Sequence, residues 1–274
     1  MENKTFVQLA FSGITETQND QLIALLAEIG YTGFEESDLT LKAFIEQSLF
    51  DAQALDAVLA IVPISYSKSL IKEENWNAQW ESSFEPIVVN DFVAIRAGFH
   101  QPISNVKHEI IITPKMSFGT GHHATTYMMI EQMEGLDLKD KNVVDYGTGT
   151  GVLAILAEKM GAGSIDAIDY DEWSIENSKE NVAANSCSKI NLLQADTIST
   201  GKVYDVILAN INLNVIIENL EVIKNVSKMG TIILLSGFIR SDEEGMLNAL
   251  GKYGIDPLKT VQKGEWICIL AQKN

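Results

Sequence analysis

Apolar positions in the front of the chain follow two short rhythms. Residues 6–11, FVQLAF, and 41–47, LKAFIEQ, set apolar against polar positions at or near period two, the pattern of a half-buried strand. Residues 19–30, NDQLIALLAEIG, carry their apolar side chains on one helical face and stop near Gly30. Adding TGFEES as a strand, a helix over 51–62 opened by Asp51, and ISYSKSLI as a fourth strand gives the order βαββαβ up to residue 71. This order predicts a small α+β, ferredoxin-like unit with helices on one face of a four-stranded sheet. It holds no histidine or cysteine, so binding or orienting a partner suits it better than chemistry.

A connecting stretch, residues 72–85, follows. Trp76, Trp80 and Phe84 recur every fourth residue there, one stripe of a helix, and read best as a packing seam. From 86 to 274 the rhythm lengthens. Strands FVAIRA and HEIIIT lead through a loop, FGTGHH, into a helix over ATTYMMIEQM. Strands at NVVDY, SIDAID, INLLQAD, YDVILANI and TIILLSGF then alternate with helical segments such as VLAILAEKM, DEWSIENSKENVAAN and NVIIENLEVIKNV. Such alternation predicts a largely parallel α/β sheet covered on both faces. A helix near SDEEGMLNALGKY precedes two final strands, around DPLKTVQ and EWICILAQ, close enough to form a hairpin. One edge strand is therefore expected to run antiparallel.

The chemistry concentrates where the strand NVVDY gives way to GTGTG. Gly147, Gly149 and Gly151 stand at alternate positions between a strand and a helix, a turn in which a ligand can lie against the backbone. In open parallel sheets, ligands bind beyond the carboxyl ends of the strands, where the strand order reverses. A dinucleotide fingerprint needs a third glycine at the position of Val152, and no Gly-Lys-Ser/Thr follows as in a phosphate loop, so the ligand need not be a pyrophosphate. Asp169 ends the next strand, 22 residues after Gly147, where a carboxylate can accept both hydroxyl hydrogens of a ribose. Asp171 is the better helix cap of that pair. Asp145 precedes the glycines and either orders the loop or accepts from a ligand amine. Asn210 gives an amide ending to an otherwise apolar strand, which again suggests the same sheet edge.

Charge narrows the partners. The 274 residues carry a formal net charge of -17, which opposes holding nucleic acid through its phosphates and suits a basic partner. Cys187 and Cys268 are too few for a disulfide framework and fit a reducing cytoplasm. The four histidines show no metal spacing, and no apolar run approaches the ~20 residues of a membrane span. A soluble cytoplasmic protein without metal is expected.

The motif D-x-G-x-G-x-G at 145–151, the acidic end of the second strand and the strand order together resemble the S-adenosylmethionine-dependent methyltransferases. NWNAQWESSFEPI, FGTGHHATT, DYGTGTGVLAI with AIDYDEWSIENSKENVAAN, and ANINLNVI are similar in order and spacing to one family, the ribosomal protein L-eleven methyltransferases (PrmA). The resemblance spans nearly the whole chain. It implies a seven-stranded Rossmann-like methyltransferase domain at 86–274, a linker at 72–85 and a substrate-recognition domain at 1–71. It implies S-adenosyl-L-methionine as cofactor and amines of ribosomal protein L-eleven as substrate, in a monomer. A methyltransferase acting on another protein, RNA or a small molecule shares the cofactor site. Thr126, Gly147, Gly149, Asp169 and Asn210 are carried over as cofactor contacts, with no catalytic base named. Thr148 and Thr150 stand where the family commonly has Cys and Ser, and His122 and Ala124 where it often has Thr and Pro.

Overall fold

Thr15 opens the first helix about a turn earlier than the apolar period predicts. Its hydroxyl accepts from Gln18 N at 3.2 Å, and Gln18 Oε1 accepts from Thr15 N at 3.0 Å. This Thr-x-x-Gln capping box satisfies two backbone donors that would otherwise be orphaned. Helix α1 accordingly spans Glu16–Glu28. The computed structural model describes residues 5–37, 39–72, 84–115 and 119–274, within two units, 1–83 and 84–274. The proposed seam residues Trp76 and Trp80 lie outside the described residues.

In the front unit, β1 (Thr5–Ser12), β2 (Gly33–Ser37), β3 (Thr40–Glu46) and β4 (Tyr66–Lys72) form one antiparallel sheet in the order β2-β3-β1-β4. Alternate residues Val7, Leu9 and Phe11 of β1 and Leu41, Ala43 and Ile45 of β3 are fully buried. They pack in one cluster with Leu22 and Leu26 of α1 and with Leu55 and Val58 of α2 (Ala52–Ile61). Asp51 caps α2 by accepting from Gln53 N and Ala54 N.

The second unit holds two sheets. The larger comprises β8 (Asn142–Tyr146), β9 (Ser164–Asp169), β10 (Ile190–Gln194), β11 (Tyr204–Asn210), β12 (Ser227–Ile239), β13 (Ile255–Lys263) and β14 (Trp266–Lys273). Their order is β10-β9-β8-β11-β12-β14-β13. After β8 the chain builds outward through β9 and β10, then returns to place β11 on the other side of β8, so the order reverses between β8 and β11. Pairings from β10 across to β12 are parallel, while β14 runs antiparallel to both neighbours. The reversed strand thus sits one place in from the edge rather than at the edge, because the hairpin folds its first strand outward.

Helices α3 (Ala124–Met133), α4 (Val152–Lys159), α5 (Glu172–Ala184), α6 (Leu213–Glu218), α7 (Leu220–Asn225) and α8 (Glu243–Lys252) accompany the sheet. The single helix expected over 214–226 is broken at Asn219, which ends α6 and begins α7. Two clusters flank the sheet: Val143, Ile165, Leu208 and Leu234 belong to one, and Val144, Ile168, Ile207 and Ile233 to the other. Neighbours in sequence fall in opposite clusters, as period two requires for strands buried on both faces.

FVAIRA and HEIIIT do not enter the large sheet. As β6 (Val93–Ala97) and β7 (His108–Ile112) they pair with each other and, through β6, with β5 (Ile87–Val89), a strand of three residues, too short for apolar alternation to mark. Side chains bond the β7 region instead of another strand. Asn185, Asn181 and Asn177 recur every fourth residue along α5 and its C-cap. Asn185 exchanges bonds with Ile111 N and O (3.0 and 2.6 Å), Asn181 Oδ1 accepts from Thr113 N (2.7 Å), and Asn177 Nδ2 donates to Thr113 O (3.2 Å). An amide side chain offers a donor and an acceptor, as a peptide does, so this ladder stands in for a neighbouring strand. Asn181 Nδ2 also donates to Thr150 O in the glycine turn at 2.8 Å, tying the small sheet to that turn.

Asn181 is completely buried, and its loss strands Thr113 N–H and Thr150 C=O. At about 1–3 kcal/mol for each unsatisfied buried group, Asn181→Ala should destabilise the second unit by roughly 2–4 kcal/mol in chemical denaturation. Asn274→Ala, which removes an exposed bond to Asp256, should stay within about 0.5 kcal/mol of the parent. Equal effects from the two changes would contradict the structural role given to the ladder.

Candidate functional site

The turn after β8 is held by its neighbour strand. Gly147 N and Thr148 N both donate to Ile168 O of β9, at 2.8 and 2.9 Å. Gly147, Gly149 and Gly151 have φ of 76°, 55° and 79°, a left-handed run that side-chain-bearing residues resist. Two of these glycines also serve packing: a Cβ on Gly147 would overlap Ile211 Cγ2, and one on Gly151 would stand 3.3 Å from Ser178 Oγ of α5. The glycine spacing therefore answers to protein neighbours as well as to a ligand. Thr150 Oγ1 donates to Gly119 O at 2.8 Å, and Thr148 Oγ1 donates to Asp145 Oδ2 at 2.6 Å. Both threonines that depart from the common family residues thus have defined bonding roles.

Two carboxylates flank the turn. Asp169 ends β9 at 8% exposure; its Oδ2 accepts from Gly149 N at 2.9 Å and its Oδ1 from Asp171 N at 3.1 Å. Asp171 caps α5 by accepting from Ser174 N. Asp145 is enclosed, and besides Thr148 its Oδ2 accepts from Ala154 N at 3.2 Å. It orders the turn and the start of α4 and does not line the cavity described next.

A cavity of about 830 Å³ opens at this edge, lined by residues that include Gly147, Gly149, Asp169 and Asn210. It lies beyond the carboxyl ends of β8 and β11, at the reversal of strand order, where the fold leaves a crevice. Asn210 is 8% exposed; its Nδ2 donates to Thr126 Oγ1 at 3.2 Å, and its buried Oδ1 has no hydrogen-bond partner among the described residues. An orphaned buried acceptor costs about 1–3 kcal/mol, so one carried by a residue that lines the cavity points to a ligand donor. Thr126 is completely buried and stands behind Asn210, not among the lining residues. Four of the five residues carried over by resemblance thus meet on the wall, with the fifth one bond behind.

Other lining residues escaped the sequence reading. Tyr170 and Asp196 join Asp169 at one end, and Tyr146 Oη donates to Asp196 O at 2.6 Å, which fixes the turn after β10. Asp196 follows a strand just as Asp169 does, so the same criterion could have found it. His123 and Trp266 line the cavity as well, their rings 4.6 Å apart and edge to face. Trp266, at the start of β14, carries no local sequence signal for this place. His123 Nδ1 accepts from Thr125 N at 3.3 Å and caps α3, whereas His122 is exposed and stacks edge-on with Phe84. Glu218 and Asn219, at the break between α6 and α7, complete the rim. Among the described residues no lysine or arginine lines the cavity and no three-residue metal cluster forms.

Burial pushes the Asp145 carboxyl up to about 7, reinforced by the charge of Asp169 and opposed by the bonds from Thr148 and Ala154. An unfolded aspartate titrates near ~3.9, so the folded chain holds an extra proton between roughly pH 4 and 7. That contribution to stability is complete below the lower value and is lost as pH rises toward the higher one. Asp145→Asn keeps an acceptor without titrating. Its stability relative to the parent should increase steadily from about pH 4 to 7 and then level off, read as denaturation midpoint against pH. Parallel curves for the two proteins would refute the raised value.

Comparison with known proteins identifies the family. Residues 15–274 match the family described as ribosomal protein L11 methyltransferase (PrmA). The ribosomal protein L11 methyltransferase of Phocaeicola vulgatus is 38% identical over 262 residues, covering 93% of each chain. That of Chlorobaculum tepidum is 38% identical over 282 residues, covering 97% of this chain and 96% of its own. The crystal structure of a ribosomal protein L11 methylase from Lactobacillus delbrueckii subsp. bulgaricus superposes with a TM-score of 0.65 at 26% identity, over 70% of this chain and all of that one. With the match running from the front unit through the glycine turn to the last strand, the chain belongs to the ribosomal protein L11 methyltransferase (PrmA) family and is a methyltransferase.

Proposed function

We propose that this enzyme methylates amines of the large-subunit ribosomal protein L-eleven, both lysine side chains and the N-terminal amine, with S-adenosyl-L-methionine as methyl donor. The observation that carries the reading is the meeting of Gly147, Gly149, Asp169 and the orphaned Asn210 acceptor on one cavity at the reversal of strand order. These residues fit the cofactor: a ribose suits Asp169, a flat heterocycle suits the Tyr170 and Asp196 end, and an amino-acid moiety suits the backbone of the glycine turn. The absence of lysine or arginine from the described lining suits a sulfonium, which a nearby cation would repel. When bound, adenosylmethionine supplies a methyl group already activated for displacement.

The chain's own task is alignment and a neutral nucleophile. At pH 7 a lysine of ordinary pKa needs about 4.6 kcal/mol to lose its proton, and an α-amine only about 1.4 kcal/mol. Removal from water into a half-enclosed cavity lowers that cost for either amine. Asn210 Oδ1 can accept from the incoming nitrogen or from the cofactor, and Thr126 keeps the amide in place. His123 is read as a wall and helix cap, because its Nδ1 already accepts from Thr125.

In this reading residues 1–71 are a ferredoxin-like substrate-recognition domain and 72–85 a linker. The βαββαβ order and the β2-β3-β1-β4 sheet support the first assignment. Thirteen acidic against four basic residues among the first 83 suit a protein that itself binds RNA phosphates and is therefore basic. The remainder is a seven-stranded Rossmann-like methyltransferase domain. The enzyme is read as a cytoplasmic monomer that does not hold nucleic acid directly. Both cysteines are free, and among the described residues no helix is long and apolar enough to cross a membrane.

Incubation with methyl-labelled adenosylmethionine, the intact ribosomal protein and ribosomal RNA should label the protein and leave the RNA unlabelled. Asp169→Ala should weaken cofactor binding by about 1.5–3 kcal/mol in calorimetry, the range for hydrogen bonds to a charged group. Label in RNA alone would overturn the substrate, and an unchanged affinity would remove Asp169 from the cofactor site.

A further inference from the structure

Three consecutive residues, Asn210, Ile211 and Asn212, join the end of β11 to the start of α6. Asn210 is the last residue of the strand, and Asn212 caps the helix by accepting from Asn214 N at 2.8 Å. Ile211 is the sole residue between two fixed points. Its N donates to Ser236 O of β12 at 3.1 Å. Its backbone passes so close to Gly237 that an added Cβ there would meet Ile211 C at 2.7 Å and N at 2.9 Å. Gly237 has φ of 102° and marks the register shift between Ser236 and Phe238. On the other side, Ile211 Cγ2 fills the place where a Cβ of Gly147 would lie.

Both glycines and Ile211 line the cavity beside Asn210. The Asn210 side chain is gripped from behind by Thr126, and its Oδ1 remains without a partner among the described residues. The neighbouring peptide therefore has a strong say in where that oxygen points. Two glycine notches on different strands, one receiving a backbone and the other a methyl group, set the peptide with little slack.

We infer that Ile211 is a positioning residue for methyl transfer: keyed between Gly147 and Gly237 by its backbone and its β-branch, it holds the Asn210 amide oxygen in register with the glycine turn. The inference rests on the methyl-transfer reading and adds a specific cause for Gly147. That glycine is needed because Ile211 enters the space a side chain would take, in addition to any ligand that passes.

The β-branch provides the test. Valine keeps both carbons on Cβ, while leucine keeps the volume and apolar character of isoleucine but carries one carbon there, leaving the Gly147 notch empty. In the full-length enzyme, Ile211→Val should retain kcat within about threefold, whereas Ile211→Leu should lose about 10–100-fold, the scale expected for a misplacement near 1 Å. Both should keep KM for the ribosomal protein and the calorimetric affinity for adenosylmethionine near the parent values, with unchanged melting temperatures. A role in filling the core alone would instead lower the melting temperature and spare kcat in the folded fraction.

A second arm uses compensation. Gly147→Ala should weaken adenosylmethionine binding at least about tenfold, and adding Ile211→Ala, which empties the contested space and leaves the left-handed strain at residue 147 in place, should recover part of that affinity. Normal turnover in folded Ile211→Leu would overturn the inference. So would a double variant that binds no better than Gly147→Ala, since the strain at residue 147 is common to both and the Ile211 notch would then contribute nothing. If the parent enzyme itself failed to bind adenosylmethionine, the methyl-transfer reading would fall first, so the two failures are distinguishable.

Discussion

The Asp169 carboxylate is the constraint on which the site turns. Its two oxygens receive one backbone N–H from the glycine turn and one from the start of the next helix cap. A single side chain thus sets the separation between the end of β9 and the turn after β8. The turn is held in the same sense by Gly147 N and Thr148 N on Ile168 O, so the two strand ends move together. Hydrogen bonds to an ionised acceptor are among the stronger ones available to a protein. Here they fix backbone that must bend through three left-handed residues, and they leave the carboxylate on the cavity wall.

From that point order spreads outward through side-chain amides. Asn181 bonds the carbonyl of Thr150 in the turn and the N–H of Thr113 beyond β7, so the glycine turn and the small sheet share one residue. Thr150 reaches Gly119 O, which attaches the residues before α3 to the same turn. Helix α3 then returns to the cavity at both ends of its first turn. His123 caps it and faces Trp266, while Thr126 holds Asn210. The site is assembled from β8, β9, β11 and α3, elements distant in sequence, with its polar contacts made largely by asparagine, aspartate and threonine.

Sequence was most legible where periodicity and punctuation agree. NVVDY, SIDAID and the helix over 124–133 lie where the apolar pattern predicts, and Asp51 and Asp171 cap the helices they were expected to open. The α/β class and the convergence of Gly147, Asp169 and Asn210 on one edge followed from strand ends and glycine spacing, whereas Asp145, read with them, orders the turn and does not line the cavity. What stayed hidden depends on partners remote in sequence. No local signal reveals that Ile211 occupies the Gly147 notch, that asparagines on α5 replace a strand beside β7, or that Trp266 reaches the cavity. The Thr15–Gln18 capping box was a local signal that the apolar period overshadowed. The position of the reversed strand depended on which way the last hairpin folds, a choice made by pairing with β12.

The proposed function requires that one cavity, at the reversal of strand order, receive adenosylmethionine. Backbone amide resonances of the labelled, full-length enzyme titrated with adenosylmethionine test it most directly. The largest perturbations should fall on Gly147, Gly149, Asp169, Tyr170, Asp196 and Asn210, with small changes in β1 to β4. Perturbations concentrated in residues 5–72, or spread evenly with none above the rest at the glycine turn, would contradict it.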